Sequence, residues 1–212
     1  MRTLLLKTTL LAISPLVTSR ICMAAQQGPT STVQMAFSAL EQHDWPTLAT
    51  LVYPDALATL RQHSLAQIIV LAELAKAGKP TANFGYNPGD IVIVDHLPRV
   101  GDRRVPEFPS SPRINELAAL SPADFFVRWC QAVYETRPEL PGSSVPHTKR
   151  HIIGEVMEGD TLAHVVYRRE GRWMIPWHVD IMPLRRLGDR WSLLLNDDIG
   201  ESVDLMTLFH DR

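Results

Sequence analysis

The chain has 212 residues, 21 basic against 23 acidic side chains, a formal charge of −2 and 45% apolar residues. That balance excludes a polyanion partner held by a general basic field, and so argues against nucleic acid. Length and apolar content suit one domain with a substantial core.

Residues 1–25 read as a cleaved signal peptide. Arg2 and Lys7 form a basic start, Thr8 to Val17 is an apolar run shorter than a membrane span, and Cys22-Met23-Ala24 or Met23-Ala24-Ala25 supplies small residues for cleavage near Ala25 or Gln26. An uncleaved anchor and a lipid-anchored Cys22 are the weighed alternatives. Pro15 and Arg20 bear on the first, and Ile21 stands where lipoprotein processing wants a small residue. The expectation is an exported protein, periplasmic or extracellular, with no stable membrane insertion after cleavage. Loss of Arg2, Lys7 and Arg20 takes the formal charge to about −5. Cys130 is then the one cysteine left, and among Phe125, Phe126, Trp129 and Val133 it reads as a small buried apolar residue.

Residues 26–212 read as a single domain. Thr30 or Ser31 is placed to cap a helix reaching about Gln42, with Val33, Phe37 and Leu40 on one stripe. Asp44 caps a second helix entered through Trp45-Pro46. A third restarts at Pro54-Asp55 and keeps its apolar spacing through Leu57, Leu60, Ile68, Leu71 and Leu74 until Gly78-Lys79-Pro80. From about 79 to 113 the chain is proline-rich and reads as an irregular insertion around one short strand, Ile91 to Val94. Ser121-Pro122 then opens a helix through Trp129 and Val133.

The last third is a strand meander: Thr148–Met157, Thr161–Arg169, Arg172–Leu187 and Arg190–Asn196, with turns at Glu158-Gly159-Asp160, near Gly171 and at Gly188-Asp189. Glu201 to Phe209 is a closing helix or a tail. Helices followed by antiparallel strands define an α+β class, with helices packed on a curved sheet.

The segments Ala39-Leu40-Glu41-Gln42-His43-Asp44-Trp45-Pro46-Thr47-Leu48, Leu51-Val52-Tyr53-Pro54-Asp55-Ala56, Gly154-Glu155-Val156, Ala163-His164-Val165-Val166-Tyr167 and Gly188-Asp189-Arg190-Trp191-Ser192-Leu193-Leu194 resemble the nuclear transport factor 2-like (SnoaL-like) superfamily. The resemblance implies a cone-shaped α+β fold, a strongly bent and mostly antiparallel sheet, a deep apolar pocket and dimerisation through the sheet. The long proline-rich stretch and the late helix at Ser121 depart from that pattern. The superfamily holds isomerases, dehydratases, cyclases and hydrolases beside proteins that only bind, so the fold alone does not choose among them.

Alternation on the Trp173–Leu187 strand places His178 and Asp180 on one face with Met174, Met182 and Leu184, opposite Ile175, Trp177, Val179 and Ile181. His178 and Asp180 are the catalytic candidates, an acid or orienting group and a base in an apolar pocket. His164, Met174 and Met182 are the ligand-binding candidates. His164, His178 and Asp180 as metal ligands are the weaker reading, because nothing in the sequence fixes the cross-strand register, and neither a metal nor a cofactor is expected. The arginines from Arg168 to Arg190 read as strand-end charges that keep edges soluble. Three functions follow from these residues: a protein that binds a small apolar ligand or a protein partner without catalysis, a cofactor-independent lyase or isomerase, and a module dimerising through its sheet in the cell envelope.

Overall fold

The computed structural model describes residues 28–77, 93–106, 108–135, 149–170, 177–196 and 199. The expected signal segment, Met174 and the closing stretch from Glu201 lie outside the described residues.

Helix α1, Pro29–Glu41, buries Val33, Ala36, Phe37 and Leu40, the i, i+3, i+4, i+7 stripe of an amphipathic helix. Its start differs from the expectation that Thr30 or Ser31 is the cap. The chain enters through Gly28, which has no capping side chain, and the Thr30 amide donates instead to Glu155 Oε2 at 3.0 Å. The Thr30 hydroxyl donates to the same oxygen at 2.7 Å. Helix α2, Trp45–Leu51, starts as expected, with Asp44 Oδ1 accepting from the Thr47 amide at 3.1 Å. Helix α3, Pro54–Lys76, has Asp55 in its first turn and Lys76 in its last, each the sign that the helix dipole favours there.

The proline-rich stretch is a correction. Of the strand expected from Ile91 to Val94, Ile91 and Val92 lie outside the described residues and Ile93 and Val94 open helix α4, Ile93–Val100, while a further helix α5 spans Ile114–Ala119. Ile93, Leu97 and Val100 recur at i, i+4 and i+7, and Ile93 and Leu97 pack on the core while Val100 is buried in it. A four-residue apolar run is too short to separate strand from helix, and the turns of α4 find their partners on α3. Glu73 Oε1 meets His96 Nδ1 at 2.7 Å, and the Arg103 guanidinium donates to the Ala72 carbonyl at 2.9 Å. Arg61 donates to the Ala118 carbonyl, which ties α5 to α3 as well. Val105 and Phe108 between α4 and α5 are buried.

Helix α6, Pro122–Cys130, is capped by Ser121 Oγ, which accepts from the Asp124 amide at 3.1 Å, and runs on into a π-helical turn, Gln131–Glu135. Cys130 is fully buried, as its neighbours suggested. Trp45 stacks on Tyr134 at 5.4 Å between ring centres, joining α2 to that turn.

The four strands are β1 Arg150–Glu158, β2 Leu162–Glu170, β3 Trp177–Leu187 and β4 Arg190–Leu193, paired antiparallel in chain order in an open sheet. Gly159 and Gly188 sit at φ +65° and +61° in the two hairpin turns, a conformation glycine adopts without steric penalty. Helix α1 lies across one face of this sheet, and α2, α3 and α6 form the layer behind it. The helix-facing side is filled: Ala163, Val165, Tyr167, Met182, Leu184 and Leu193 are all at zero exposure. The ring of Phe37 meets that of Tyr167 edge-on at 4.9 Å. A parallel bridge between Val52 and Leu193, with the Tyr53 amide donating to the Leu193 carbonyl at 2.8 Å, binds the helical half to the last strand. The architecture among the described residues is thus a mixed α+β fold of six α-helices on an open, four-stranded antiparallel sheet.

Candidate functional site

The alternation expected on β3 holds. His178, Asp180, Met182 and Leu184 face the helices, and Trp177, Val179 and Ile181 face outward at 50%, 51% and 52% exposure. Register then decides what the inward residues meet. Arg169 stands opposite His178 and Tyr167 opposite Asp180, so Arg169 is the diagonal neighbour of Asp180. Arg169 Nε donates to Asp180 Oδ2, and both side chains are about three-quarters buried, at 24% and 22% exposure. Asp180 therefore has one oxygen committed to a guanidinium, and would have to leave that pair to act as a base.

Met182 is a core residue at zero exposure rather than a wall of an open pocket. His164 does not join the set. It lies in register with Pro183 and Val156 on the outward face, and its Nε2 meets Glu158 Oε2 at 3.0 Å. No group of three or more His, Cys, Asp or Glu among the described residues could hold a metal ion.

Two clefts among the described residues lie elsewhere. One of about 440 Å³ lies beside the first turns of α3, between Tyr53, His63, Ser64 and Gln67 on one side and Arg185 and Leu195 on the other, with the Arg185 guanidinium 5.4 Å from the centre of the Tyr53 ring. The other, of about 450 Å³, wraps the strand ends. Lys149, Arg150 and His151 border it at the start of β1, and Arg168 and Arg169 at the end of β2, with Trp177 and Glu41 completing the walls. Neither cleft is lined by His178, Asp180 or Met182.

The outward face of the sheet is a further feature that the site residues left unread. Val166 stands between Gly154 and Ile181, and His164 between Val156 and Pro183, so apolar side chains from three strands share one surface. Val156 is 57% exposed, and Ile153 at the same edge is about half exposed. The signal was present in the sequence as alternation, since the residues opposite His178 and Asp180 are all apolar.

No family model, no curated protein and no solved structure matches the chain. Among the described residues, no helix is long and apolar enough to cross a membrane.

Proposed function

We propose that this is an exported binding protein of the nuclear transport factor 2-like (SnoaL-like) type that works without catalysis, pairing with a second copy of itself through the outward face of its sheet. The observation that carries the reading is that Val156, Val179 and Ile181 are each about half exposed on a face whose other side is a filled core. Water-exposed antiparallel sheets ordinarily alternate apolar-in with polar-out, and a three-strand apolar surface marks an interaction site. The second copy is favoured as occupant by charge. His151 and Arg168 lie at one end of the outward face, and Glu158, in register through Leu162 with Arg185, at the other, so a two-fold axis perpendicular to the strands brings the Glu158 carboxylate of each copy toward His151 and Arg168 of the other. The cone shape, the sheet curvature and the dimer are the finer features that the resemblance adds to this reading.

The catalytic alternative, with Asp180 as base and His178 as acid in a lyase or isomerase, is less favoured because Asp180 is held by Arg169. Sedimentation equilibrium of the mature protein tests the proposal. A dimer that Ile181→Glu converts to a monomer with unchanged far-UV circular dichroism supports it. A monomer at every concentration overturns it, and an apolar small molecule released on denaturation in native mass spectrometry would give the exposed face a different occupant.

A further inference from the structure

We infer that the cleft beside the first turns of α3 binds a free α-amino acid with a phenolic side chain, its carboxylate taken by Arg185, its ammonium by Asp55 and its hydroxyl by Ser64. The site does not rest on pairing through the sheet.

Register and alternation bring the charged end of the cleft together. Val52 bridges Leu193 in parallel and both side chains are buried in the core, so Tyr53 turns to the opposite side of that edge. Arg185 turns to the same side as Tyr53, because its neighbour Leu184 is buried and stands in register with Leu193. The Arg185 guanidinium accordingly reaches the Tyr53 ring, 5.4 Å from its centre, and Pro54 then starts α3 with Asp55 in its first turn. Ala56, Leu60 and Ser64, at i, i+4 and i+8 on one face of that helix, continue the wall, and Leu194 and Leu195 close the other side.

Three properties of this wall define the ligand. Arg185 and Asp55 carry opposite charges in one cleft, yet among the described residues neither belongs to an ion pair. A zwitterion satisfies both, whereas a plain anion would meet the Asp55 carboxylate and a plain cation the guanidinium. The place of Arg185 over the Tyr53 ring holds its fork ready for a carboxylate, so less ordering entropy is lost on binding. Ser64 is 6% exposed and borders the cleft, and its hydroxyl has no hydrogen-bond partner among the described residues. Buried polar groups are ordinarily bonded, so this hydroxyl is an unused donor and acceptor. Leu60 and the two leucines opposite it lie between, an apolar stretch that suits a ring. Asp55 and Ser64 stand nine residues apart on α3, about 13 Å. Tyrosine measures about 7 Å from its ammonium to its phenol oxygen, and a hydrogen bond of about 3 Å at each end spans the remainder. The cleft volume of about 440 Å³ is that of a small-molecule site.

Ligand-detected saturation-transfer NMR on the full chain tests the inference, with L-tyrosine, L-phenylalanine, tyramine and para-hydroxyphenylpropionate as probes. Tyramine lacks the carboxylate, and the propionate lacks the ammonium. The expected result is saturable binding of L-tyrosine, with phenylalanine weaker by about threefold to tenfold and the other two by about tenfold or more. Arg185 is exposed, so Arg185→Gln leaves the core intact and should lower the affinity for tyrosine about tenfold. Ser64→Ala should lower the affinity for tyrosine to that for phenylalanine and leave the latter unchanged, a pattern that misfolding does not produce. Arg168→Gln, at the other end of β2, should bind as the parent does. No saturable binding of L-tyrosine, equal affinity for any of the other three probes, or an equal loss in Arg168→Gln would overturn the assignment.

Discussion

Glu155 of β1 serves as the missing N-cap of helix α1: its Oε2 accepts from both the amide and the hydroxyl of Thr30, 125 positions away in the chain. A helix that starts at Gly28-Pro29 has no capping side chain of its own, and the first-turn amides would otherwise be left to water. The carboxylate also places negative charge at the positive end of the helix dipole. Glu155→Ala is therefore expected to lower stability by about 1 kcal/mol, within the range for loss of a cap, and Glu155→Gln by less, because an acceptor remains. Urea denaturation of the two variants measures both, and equal stability for all three proteins would show that the contact contributes nothing.

Acid sensitivity has a local source in α2. The hydroxyl of Thr47, and then its amide, hold the Asp44 carboxyl below its usual value of 3.8. A carboxyl whose folded value lies below its unfolded value adds stability above the unfolded value, and that stability disappears as pH falls through the folded value. Asp44→Asn keeps a capping side chain but does not titrate, so its urea midpoint should vary less than the parent's below about pH 4. Parallel profiles for the two proteins would remove Asp44 as the cause.

Arg169 and Asp180 are each about three-quarters buried, so removing Arg169 leaves the Asp180 carboxylate without the guanidinium that holds it. The single variants Arg169→Met and Asp180→Leu should each destabilise more than half as much as the double variant does. A double-mutant cycle is expected to yield a coupling of about 1–2 kcal/mol. Additive losses would mean that the pair is screened by water and holds nothing in place.

Asn196 fastens the chain beyond β4 to the two inner strands, β2 and β3. Its Nδ2 donates to the Ile181 carbonyl at 2.8 Å and to Tyr167 Oη at 3.2 Å, while Oδ1 accepts from the Ile199 amide at 3.1 Å. Asn196→Asp keeps the shape and replaces the donor by a second acceptor, which faces the Ile181 carbonyl. The expected loss is about 1–3 kcal/mol, read from thermal unfolding, with Asn196→Ala nearer the lower end. A loss in Asn196→Asp no larger than in Asn196→Ala would show that the Nδ2 bonds are dispensable.

Much of this was legible before any coordinates. Proline in the first turn of α2, α3 and α6, with Asp44 and Ser121 as caps, marked helix starts by chemistry that acts within one turn. Alternation on β3 assigned His178, Asp180 and Met182 to one face correctly, because strand periodicity needs no knowledge of the partner. What could not be read were relations between strands and between distant segments. Glu155 as a cap, Arg169 as the partner of Asp180 and His164 on the far face all depend on register and packing. The Ile153 bulge is the sharpest case: a count from the Gly159 turn is right as far as Gly154 and wrong by one residue beyond it, and Arg150 lies beyond it. Ile91 to Val94 misled for another reason. A run so short satisfies both periods, and the docking of α4 on α3 settled the matter.

The bond from the Tyr53 amide to the Leu193 carbonyl also orders events in time. A growing chain has α1 to α3 in hand long before β4 emerges, yet the acceptor that closes the helical half against the sheet is made only after β1 to β3. The side of α1 that packs on the sheet must wait uncovered until the strands have followed. Contacts this remote in sequence slow folding, so truncation shortly before Leu193 should leave a helical but unsealed chain open to proteases and chaperones.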